Sequence, residues 1–346
     1  MRVWWIMAFF RTGKIPTEVL VRSVFRYKGA KDRSVILGSS VGEDAALVSL
    51  GKNVLVLTTD PVTGTASDIG WLAVHVNAND VACRGARPKW FLCDLLLPEI
   101  SNAALVEKIM KQVDKAAKGI GVAVVGGHTE VTPGLKRPIV IGYMVGVVSR
   151  KKYVTSHSAR PQDQIIMTKT VGIEGTSVLA TDFARKLRKK IGPRSLRQAK
   201  DFRNMISVVD DALIAARAGG VRAMHDPTEG GLLQGVWELA EASHVGFVIH
   251  ESRIAVRPET MEICSALRVD PLRLMSSGCL LIVADRRKSN GILRGLRRRR
   301  IPARIIGTVT PRRQGRKLVG VEGLVREVAP SERDELYRVI ESYRAG

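Results

Sequence analysis

The chain has 346 residues, of which 45% are hydrophobic and 25% are charged. This length allows two domains with sizeable cores, and the composition excludes a disordered or fibrous protein. The formal net charge of +22 is concentrated in two segments: residues 286–317 contain 13 Lys or Arg and no acid, and residues 185–203 contain 9 together with Asp201. Two interpretations stay open for these segments. They are either solvated surface that also docks an acidic partner, or a contact surface for RNA, although no aromatic residues are interleaved for base stacking.

Four cysteines, Cys83, Cys93, Cys264 and Cys279, form no CxxC pair. They are typical of free, buried thiols in a reducing compartment, and they disfavour a zinc site. The first ten residues are apolar but too short to cross a bilayer, and no cleavage motif follows them. We interpret residues 1–13 as an N-terminal extension that docks on the protein or on a partner, with weak membrane contact as the alternative. A cytoplasmic protein without a membrane span is expected.

Apolar spacing predicts alternating elements in the first half of the chain. A helix is expected over 14–27, a strand over 53–60, a helix over 68–86, a strand over 89–98, a helix over 101–119, and strands over 121–127 and 138–149. The strand over 121–127 is expected to stop at a pair of glycines.

A boundary is expected within residues 150–162, and the second half again mixes both element types. Strands are expected over 164–169, 221–226, 246–250 and 279–285, and helices over 176–187, 207–218 and 227–243. The sequence therefore predicts an α+β fold of two mixed α/β domains, 14–152 and 153–330, with a cleft between them and a C-terminal helix or tail over 331–346.

Acidic residues stand at the ends of several predicted elements. Asp44 lies in "GEDAAL", Asp60 in "TTDP" and Asp80 in "NAND". Carboxylates are the ligands that Mg²⁺ prefers, together with phosphate oxygens and water, so the three indicate a metal site if the fold brings them together. Taken singly, Asp60 is equally well explained as a turn residue and Asp80 as a structural carboxylate.

Two glycine-bearing turns are candidate phosphate sites. The first contains Gly126 and Gly127, whose missing Cβ atoms would let an anion approach backbone N–H groups. The second precedes a predicted helix, where the N-terminus favours anions; its candidate residues are Lys169, Gly172, Gly175 and Thr176. An ordinary glycine turn is the alternative for each.

Two further segments carry candidate catalytic groups. His128 and Glu130 directly follow the first glycine pair. Asp226 lies in "MHDPTEGGLL", next to His225. A helix N-cap would also explain Asp226, and a core histidine would explain His225.

The motifs "GEDAA", "TTDP", "DIGWLAVHVNANDVACRGARP", "GGHTEVTPG" and "HDPTEGGL" occur in the order found in one ATP-using superfamily. The chain resembles aminoimidazole ribonucleotide synthase, thiamine-monophosphate kinase, selenophosphate synthetase and HypE over residues 14–330, and it resembles HypE most. The resemblance implies a PurM-like fold, a homodimer formed by the N-terminal domains, and ATP with Mg²⁺ in a cleft that the dimer helps to build.

The same resemblance assigns roles to individual residues. Asp44, Asp60 and Asp80 match the metal and phosphate carboxylates. Gly126 and Gly127 match the family's glycine pair before its third acidic site, and Asp226 with the following glycines matches the C-terminal phosphate or substrate loop. His128 stands where the family often has Asp or Glu, which implies that Glu130 takes over or that the metal shell differs. The resemblance also implies that HypE carries a carbamoyl group on a C-terminal cysteine. The last cysteine in this sequence is Cys279, so cyanide synthesis on such a tail is not expected.

The sequence therefore predicts an ATP- and Mg²⁺-dependent phosphoryl-transfer enzyme that activates an oxygen of an unidentified small substrate. His128 or Glu130 would orient the metal or act as a base. The alternatives are a kinase resembling thiamine-monophosphate kinase, and a non-catalytic nucleotide-binding scaffold whose basic segments contact RNA or an acidic partner.

Overall fold

A computed structural model describes residues 10, 12–63, 65, 67–331 and 333–343. The helices are α1 (Thr17–Ser23), α2 (Ile69–Cys83), α3 (Ala103–Ile120), α4 (Ile173–Asp182), α5 (Ala184–Leu187), α6 (Pro193–Asp201), α7 (Val209–Ala218), α8 (Gly231–Ala242), α9 (Pro258–Leu267), α10 (Ser289–Arg298) and α11 (Glu335–Ser342). The strands are β1 (Val35–Leu37), β2 (Ala46–Leu50), β3 (Asn53–Val62), β4 (Arg87–Leu97), β5 (Ala123–Val131), β6 (Ile139–Ser149), β7 (Gln164–Thr168), β8 (Val221–His225), β9 (Gly246–His250), β10 (Leu281–Ala284), β11 (Ala303–Thr310), β12 (Arg316–Val319) and β13 (Val325–Glu327). None of the helices in the described part of the chain is long and apolar enough to cross a membrane.

The first sheet has six strands in the order β1-β2-β3-β6-β4-β5. Burial alternates along β6, where Val140, Met144 and Val148 are buried and Tyr143 is exposed. A strand whose side chains alternate in this way has one covered and one uncovered face. Helices α2 and α3 cover one face, because α2 contacts β3, β4 and β6 and packs along α3.

Helix α2 lies between the two halves of the molecule. All of its residues except Trp71 are buried, because it packs on the first sheet on one side and on α7 and β8 on the other. A helix that is apolar around most of its circumference is typical of such a position. The close contact with β6 depends on glycine: a Cβ at Gly146 would overlap Val81 of α2, and one at Gly142 would overlap Asn77.

The second sheet has seven strands in the order β13-β12-β9-β11-β7-β10-β8. Its two faces are buried in different cores. Ile166 and Ile282 belong to a core that continues into the first domain. Ile165 and Leu281 belong to a separate core that includes residues of α8. Because both faces are covered, the central strands are apolar along their whole length.

The predicted α+β fold is confirmed, with three differences in detail. The first helix is shorter than expected and spans Thr17–Ser23. The strand predicted to stop at the glycine pair continues through it as β5. The helix predicted over 176–187 begins at Ile173 and is interrupted at Phe183, so that α4 and α5 are separate. The prediction missed two short strands before Asn53, and three helices and three strands after residue 187. The docking expected for residues 1–13 stays a prediction, because most of these positions lie outside the described residues.

We predict that Gly146→Ala destabilises the protein by about 1–3 kcal/mol, because the added methyl group overpacks the contact between β6 and α2. The measurement is the change in the free energy of unfolding in urea. Gly119→Ala in α3 is the matched control: nothing lies within 4 Å of a Cβ built there, so the same change should stabilise by about 0.5–1 kcal/mol. Equal stability of the two variants would contradict the close packing.

Candidate active site

Three of the predicted carboxylates, Asp44, Asp60 and Asp80, lie around the C-terminal half of β3. The Thr58 hydroxyl is 2.7 Å from the Asp44 carbonyl oxygen and 2.8 Å from Asp80 Oδ2. The Asn77 side chain accepts a hydrogen bond from the Asp60 backbone N–H at 2.9 Å. Asp80 is brought here because α2 is buried against the face of β3 that carries Thr58 and Asp60. The fold thus assembles the acids that the sequence placed on separate segments.

Mutual repulsion and burial change the ionisation of this acid cluster, which we define as Asp44, Asp60, Asp80 and Asp226. Burial and the carboxylates of its three neighbours raise the pKa of Asp80 well above its usual range. Burial raises the pKa of Asp60 to about 6 and that of Asp226 to about 7. Asp226 Oδ2 is buried and has no hydrogen-bond partner among the described residues. Such groups are candidates for binding a cation.

His225 is the counter-charge that the cluster contains. Its Nδ1 lies 2.9 Å from Asp44 Oδ2, and its Nε2 lies 2.9 Å from Glu238 Oε2. Burial alone would lower the pKa of His225, but the two carboxylates raise it to about 10. Conversely, burial alone would raise the pKa of Asp44, but His225 holds it well below its usual range. His225 is therefore a charged imidazolium, which the core-histidine interpretation did not anticipate.

Arg84 extends this network towards the second domain. Its side chain is fully buried, and Nη1 lies 2.9 Å from Glu43 Oε2 and donates to Ser156 Oγ at 2.7 Å. Nη2 lies 3.8 Å from Asp44 Oδ2. Glu43 also accepts from the Ser156 backbone N–H at 3.0 Å. Buried charges without partners are costly, so these pairs hold the loop before β2 against the segment that follows β6.

A cavity of about 330 Å³ adjoins the acid cluster at Asp60. Its polar lining includes Lys14, Glu174, Glu229 and Tyr337. Burial raises the pKa of Glu174 to about 7, and the nearby carboxylates of Glu229 and Asp60 act in the same direction. The volume lies at the lower end of the range for small-molecule sites.

The segment before α1 closes one side of this cavity. The backbone N–H of Lys14 donates to Glu229 Oε2 at 2.8 Å, and its Nζ lies 3.4 Å from Thr228 Oγ1. Burial alone would lower the pKa of Lys14, but the carboxylates of Glu238, Asp44, Asp60 and Glu229 raise it. The sequence analysis missed Lys14 and Glu174. The "TGK" turn before α1 was the available signal for Lys14. Glu174 lies in the second glycine turn, which was considered only as a phosphate site and not for a carboxylate.

His128 and Glu130 are not brought to the acid cluster. They are exposed on β5, where they contact each other at 3.3 Å. In register they pair with Asp94 and Leu96, which point away from the helices. Asp60 faces the helices from β3, three strands away, or roughly 14 Å at the usual strand spacing. Within one protomer these two residues therefore cannot join Asp44, Asp60 and Asp80.

The second glycine turn is packed rather than open, which contradicts its expected role as a phosphate cradle. The Lys169 Nζ donates to three backbone carbonyl groups and lies 3.3 Å from Asp211. The N–H of Gly172 donates to Ser276 Oγ, that of Gly175 donates to the Met275 carbonyl, and the Thr176 hydroxyl contacts that of Thr260. These donors are already used, so an anion would have to displace them.

Close packing explains why one residue of the first glycine pair, Gly127, has no side chain. Gly127 has φ of +149°, and a Cβ there would overlap the backbone of Cys93 in β4. The pairing of β4 with β5 shifts register nearby, between Phe91 and Leu92. A bulge of this kind requires a residue without a side chain. Gly126 has no such constraint, because its Cβ would make only ordinary van der Waals contact with Leu92.

The expected three-carboxylate metal site is not preformed. Over the described residues, no three His, Cys, Asp or Glu side chains converge closely enough to hold a metal ion by themselves. The Asp44 carboxylate instead pairs with His225, whose Nδ1 lies 2.9 Å from Asp44 Oδ2. All four cysteines are free and buried, as expected. Burial and the Asp226 carboxylate raise the pKa of Cys83, so its thiol is not activated as a nucleophile.

Two mixed sheets, a helix buried between them and an acid-lined cleft define a two-domain α/β enzyme. Residues 42–148 match the N-terminal domain and residues 160–319 the C-terminal domain of the AIR synthase related protein family, and the chain belongs to this family. It is 32% identical over 281 residues to the carbamoyl dehydratase HypE of Azotobacter vinelandii, a match that covers 77% of this chain and 78% of that protein. The predicted HypE-like resemblance is therefore confirmed.

Solved structures agree with this assignment at the level of the fold. The HypE–HypF complex gives a TM-score of 0.73 at 24% identity and covers 90% of this chain and 99% of that chain. The hydrogenase maturation protein HypE in complex with ATP gives a TM-score of 0.69 at 22% identity, with 94% and 98% covered.

We predict that the metal-free protein loses stability as the pH rises from about 7 to 10. The folded-state pKa of His225 is raised from 6.5 to about 10, so its contribution is complete below pH 6.5 and is lost as the pH rises through 10. The loss is on the order of a few kcal/mol. His225→Gln should be less stable at pH 7 and nearly independent of pH over this range. Urea unfolding in the presence of EDTA measures both.

The matched control is His250→Gln on β9, which should retain the wild-type pH profile. A wild-type stability that stays constant between pH 7 and 10 would show that His225 is not held as an imidazolium.

Proposed function

We propose that the protein is an ATP- and Mg²⁺-dependent phosphoryl-transfer enzyme that activates an oxygen of a small acceptor. The observation that carries this proposal is the buried acid cluster next to a cavity that also holds a lysine. Buried carboxylates with raised pKa values destabilise a fold, and they persist where they serve a function. The structure of HypE with ATP, whose fold this chain shares, supports ATP as the phosphoryl donor.

The acid cluster fits a magnesium ion that shares its ligands with a nucleotide. Mg²⁺ usually binds one or two carboxylates and takes its other ligands from phosphate oxygens and water. Asp60 and Asp80 would hold the ion together with phosphate oxygens and water, since no three such side chains converge among the described residues. When bound, the ion would neutralise phosphate charge during transfer.

The remaining groups have separate tasks in the proposed enzyme. Lys14 would keep positive charge between the acid cluster and the cavity, where the transferred phosphoryl group passes. Glu174, with a pKa of about 7, would exchange a proton with the acceptor near neutral pH. The acceptor itself stays unassigned, and a phosphate acceptor like that of thiamine-monophosphate kinase is the second candidate.

His128 and Glu130 lie on the exposed strand β5, away from the acid cluster. In the proposed enzyme they would act only at a groove between two subunits.

We further propose a homodimer that buries the outer face of the first sheet. Alternate residues of β3, β4 and β6 on this face are apolar and only half-buried, among them Leu57, Leu92, Ile141 and Val145. Tyr143 lies among them and is 37% exposed. An apolar face of this extent is typical of an obligate interface, and a second copy of the same face would cover it.

We predict that Asp60→Asn abolishes Mg²⁺-dependent binding of a nonhydrolysable ATP analogue and ATP turnover, while the fold is retained or stabilised. The pKa of Asp60 is raised by burial, so removing its charge relieves repulsion at neutral pH. Titration calorimetry measures binding, ADP release measures turnover, and thermal unfolding measures stability. Asp114→Asn on α3 is the matched control, and it should leave all three unchanged.

Two results would oppose the proposed function. Unaltered Mg²⁺-dependent binding in Asp60→Asn would place the metal elsewhere. A wild-type protein that binds no Mg²⁺ and ATP analogue together would contradict the function as a whole.

We predict that Val145→Arg, at a half-buried position of this face, converts the dimer into a folded monomer, because the interface would bury a guanidinium among apolar side chains. In the monomer the new side chain is solvated. Sedimentation velocity measures the mass, and circular dichroism checks the fold. Val321→Arg is the matched control, since Val321 is 74% exposed in the second domain and the charge change is the same. A wild-type monomer, or a variant that stays dimeric, would refute the proposed interface.

A further inference from the structure

A second cavity, of about 490 Å³, lies apart from the acid cluster. It is formed by the start of α2, one face of α3 and a 3-10 turn at Phe202–Met205 that follows α6. Its lining includes Trp71 and four cations, Lys108, Lys111, Lys115 and Arg203. We call this cavity the basic groove.

The lysines of the groove form a line along α3. Their spacing of three and four residues places them on one side of the helix, over a length of roughly 10 Å. Lys111 pairs with Glu107 at 2.7 Å, which also lines the groove. Lys108 and Lys115 have no ion-pair partner within the described ranges, and Lys115 Nζ lies 5.8 Å from the centre of the Trp71 ring. Two exposed positive charges are therefore available for an anion.

Arg203 lines the groove and is also the last residue of the basic segment 185–203. Five exposed cations of this segment make no hydrogen bond, ion pair or ring contact through their side chains with the described residues: Arg185, Arg188, Lys189, Arg194 and Arg197. Arg203 itself pairs with Asp68 at 3.1 Å. Uncompensated cations of this kind are suited to phosphate, and the planar donor geometry of the four arginines among them matches its oxygens.

The fold supplies the aromatic side chain that the basic segment lacks on its surface. Trp71 is the one half-buried residue of α2, and its indole N–H donates to the Arg203 carbonyl oxygen at 2.9 Å. This bond fixes the ring at the wall of the groove, beside the lysines. Cations for a phosphate backbone and a ring for base stacking are the combination that single-stranded nucleic acids require, whereas an acidic peptide needs the charge alone.

We propose that the basic groove and segment 185–203 bind single-stranded RNA or DNA, with Lys and Arg contacting phosphates and a base stacking on Trp71. The site is separate from the acid cluster and does not depend on phosphoryl transfer. The probe is a fluorescein-labelled oligouridine, and fluorescence anisotropy measures its dissociation constant over a series of salt concentrations.

Two double variants with the same loss of charge test the location. Lys108→Ala with Lys115→Ala should weaken binding at least tenfold and reduce the salt slope by about 1.4, since each lost phosphate contact reduces it by about 0.7. Arg297→Ala with Arg298→Ala is the matched control, because these arginines are exposed on α10 and make no side-chain contact in the described structure. The control should change affinity less than twofold.

Trp71 variants test the stacking. Trp71→Ala should weaken binding at least fivefold without changing the salt slope, and Trp71→Phe should retain most of the affinity. The phenylalanine variant also covers the case in which the alanine variant fails to fold. Either of two results would overturn the proposal: equal losses in the two double variants, which indicate attraction by net charge alone, or competition by polyglutamate as strong as by unlabelled oligouridine, which indicates an acidic protein site. Absence of oligouridine binding at low salt would overturn it as well.

Discussion

The burial of α2 on nearly every side is the constraint on which the rest of the structure depends. It requires glycine at positions 142 and 146 of β6, because any side chain there would overlap the helix. Because α2 is buried, the polar residues of "NAND" need hydrogen-bond partners inside the protein. Asn77 binds the backbone of Asp60, and Asn79 binds the carbonyl of Ile206 and the N–H of Val208 in the second domain. Among the described residues, the Asp80 side chain is hydrogen-bonded only to the Thr58 hydroxyl. Its carboxyl therefore stays under-compensated beside other acids.

The protein offsets this negative charge with nearby cations rather than by removing it. His225 and Arg84 bind Asp44 and Glu43, and Lys14 approaches from the segment before α1. Burial, assisted by repulsion from Asp44, raises the pKa values of Asp60 and Asp226. A fold selected only for stability would replace such acids with apolar residues. A divalent ion with a nucleotide would complete the charge balance, and this connects the energetics of the core with the proposed reaction.

Sequence reasoning identified the acids because a carboxylate at the end of a strand, or in a helix that is otherwise apolar, is recognisable locally. Asp44, Asp60, Asp80 and Asp226 all lie in or beside the buried cluster. It failed for Lys169 and for the glycines of the second turn, since nothing local indicates that their donors are used by carbonyl and hydroxyl groups distant in sequence. It failed for His128 and Glu130 because the strand order and the pleat of β5, neither visible in the sequence, decide which face they occupy.

The sequence alone therefore determined the class of fold, the family and the chemical character of the site, because periodicity and motif order are properties of neighbouring residues. The tertiary structure alone decided that His225 is charged, that Lys14 and Glu174 line a cavity, and that Trp71 stands beside the lysines of α3. These are contacts between segments as much as 215 residues apart. Burial and the proximity of charges set their energies, and both quantities exist only once the chain has folded.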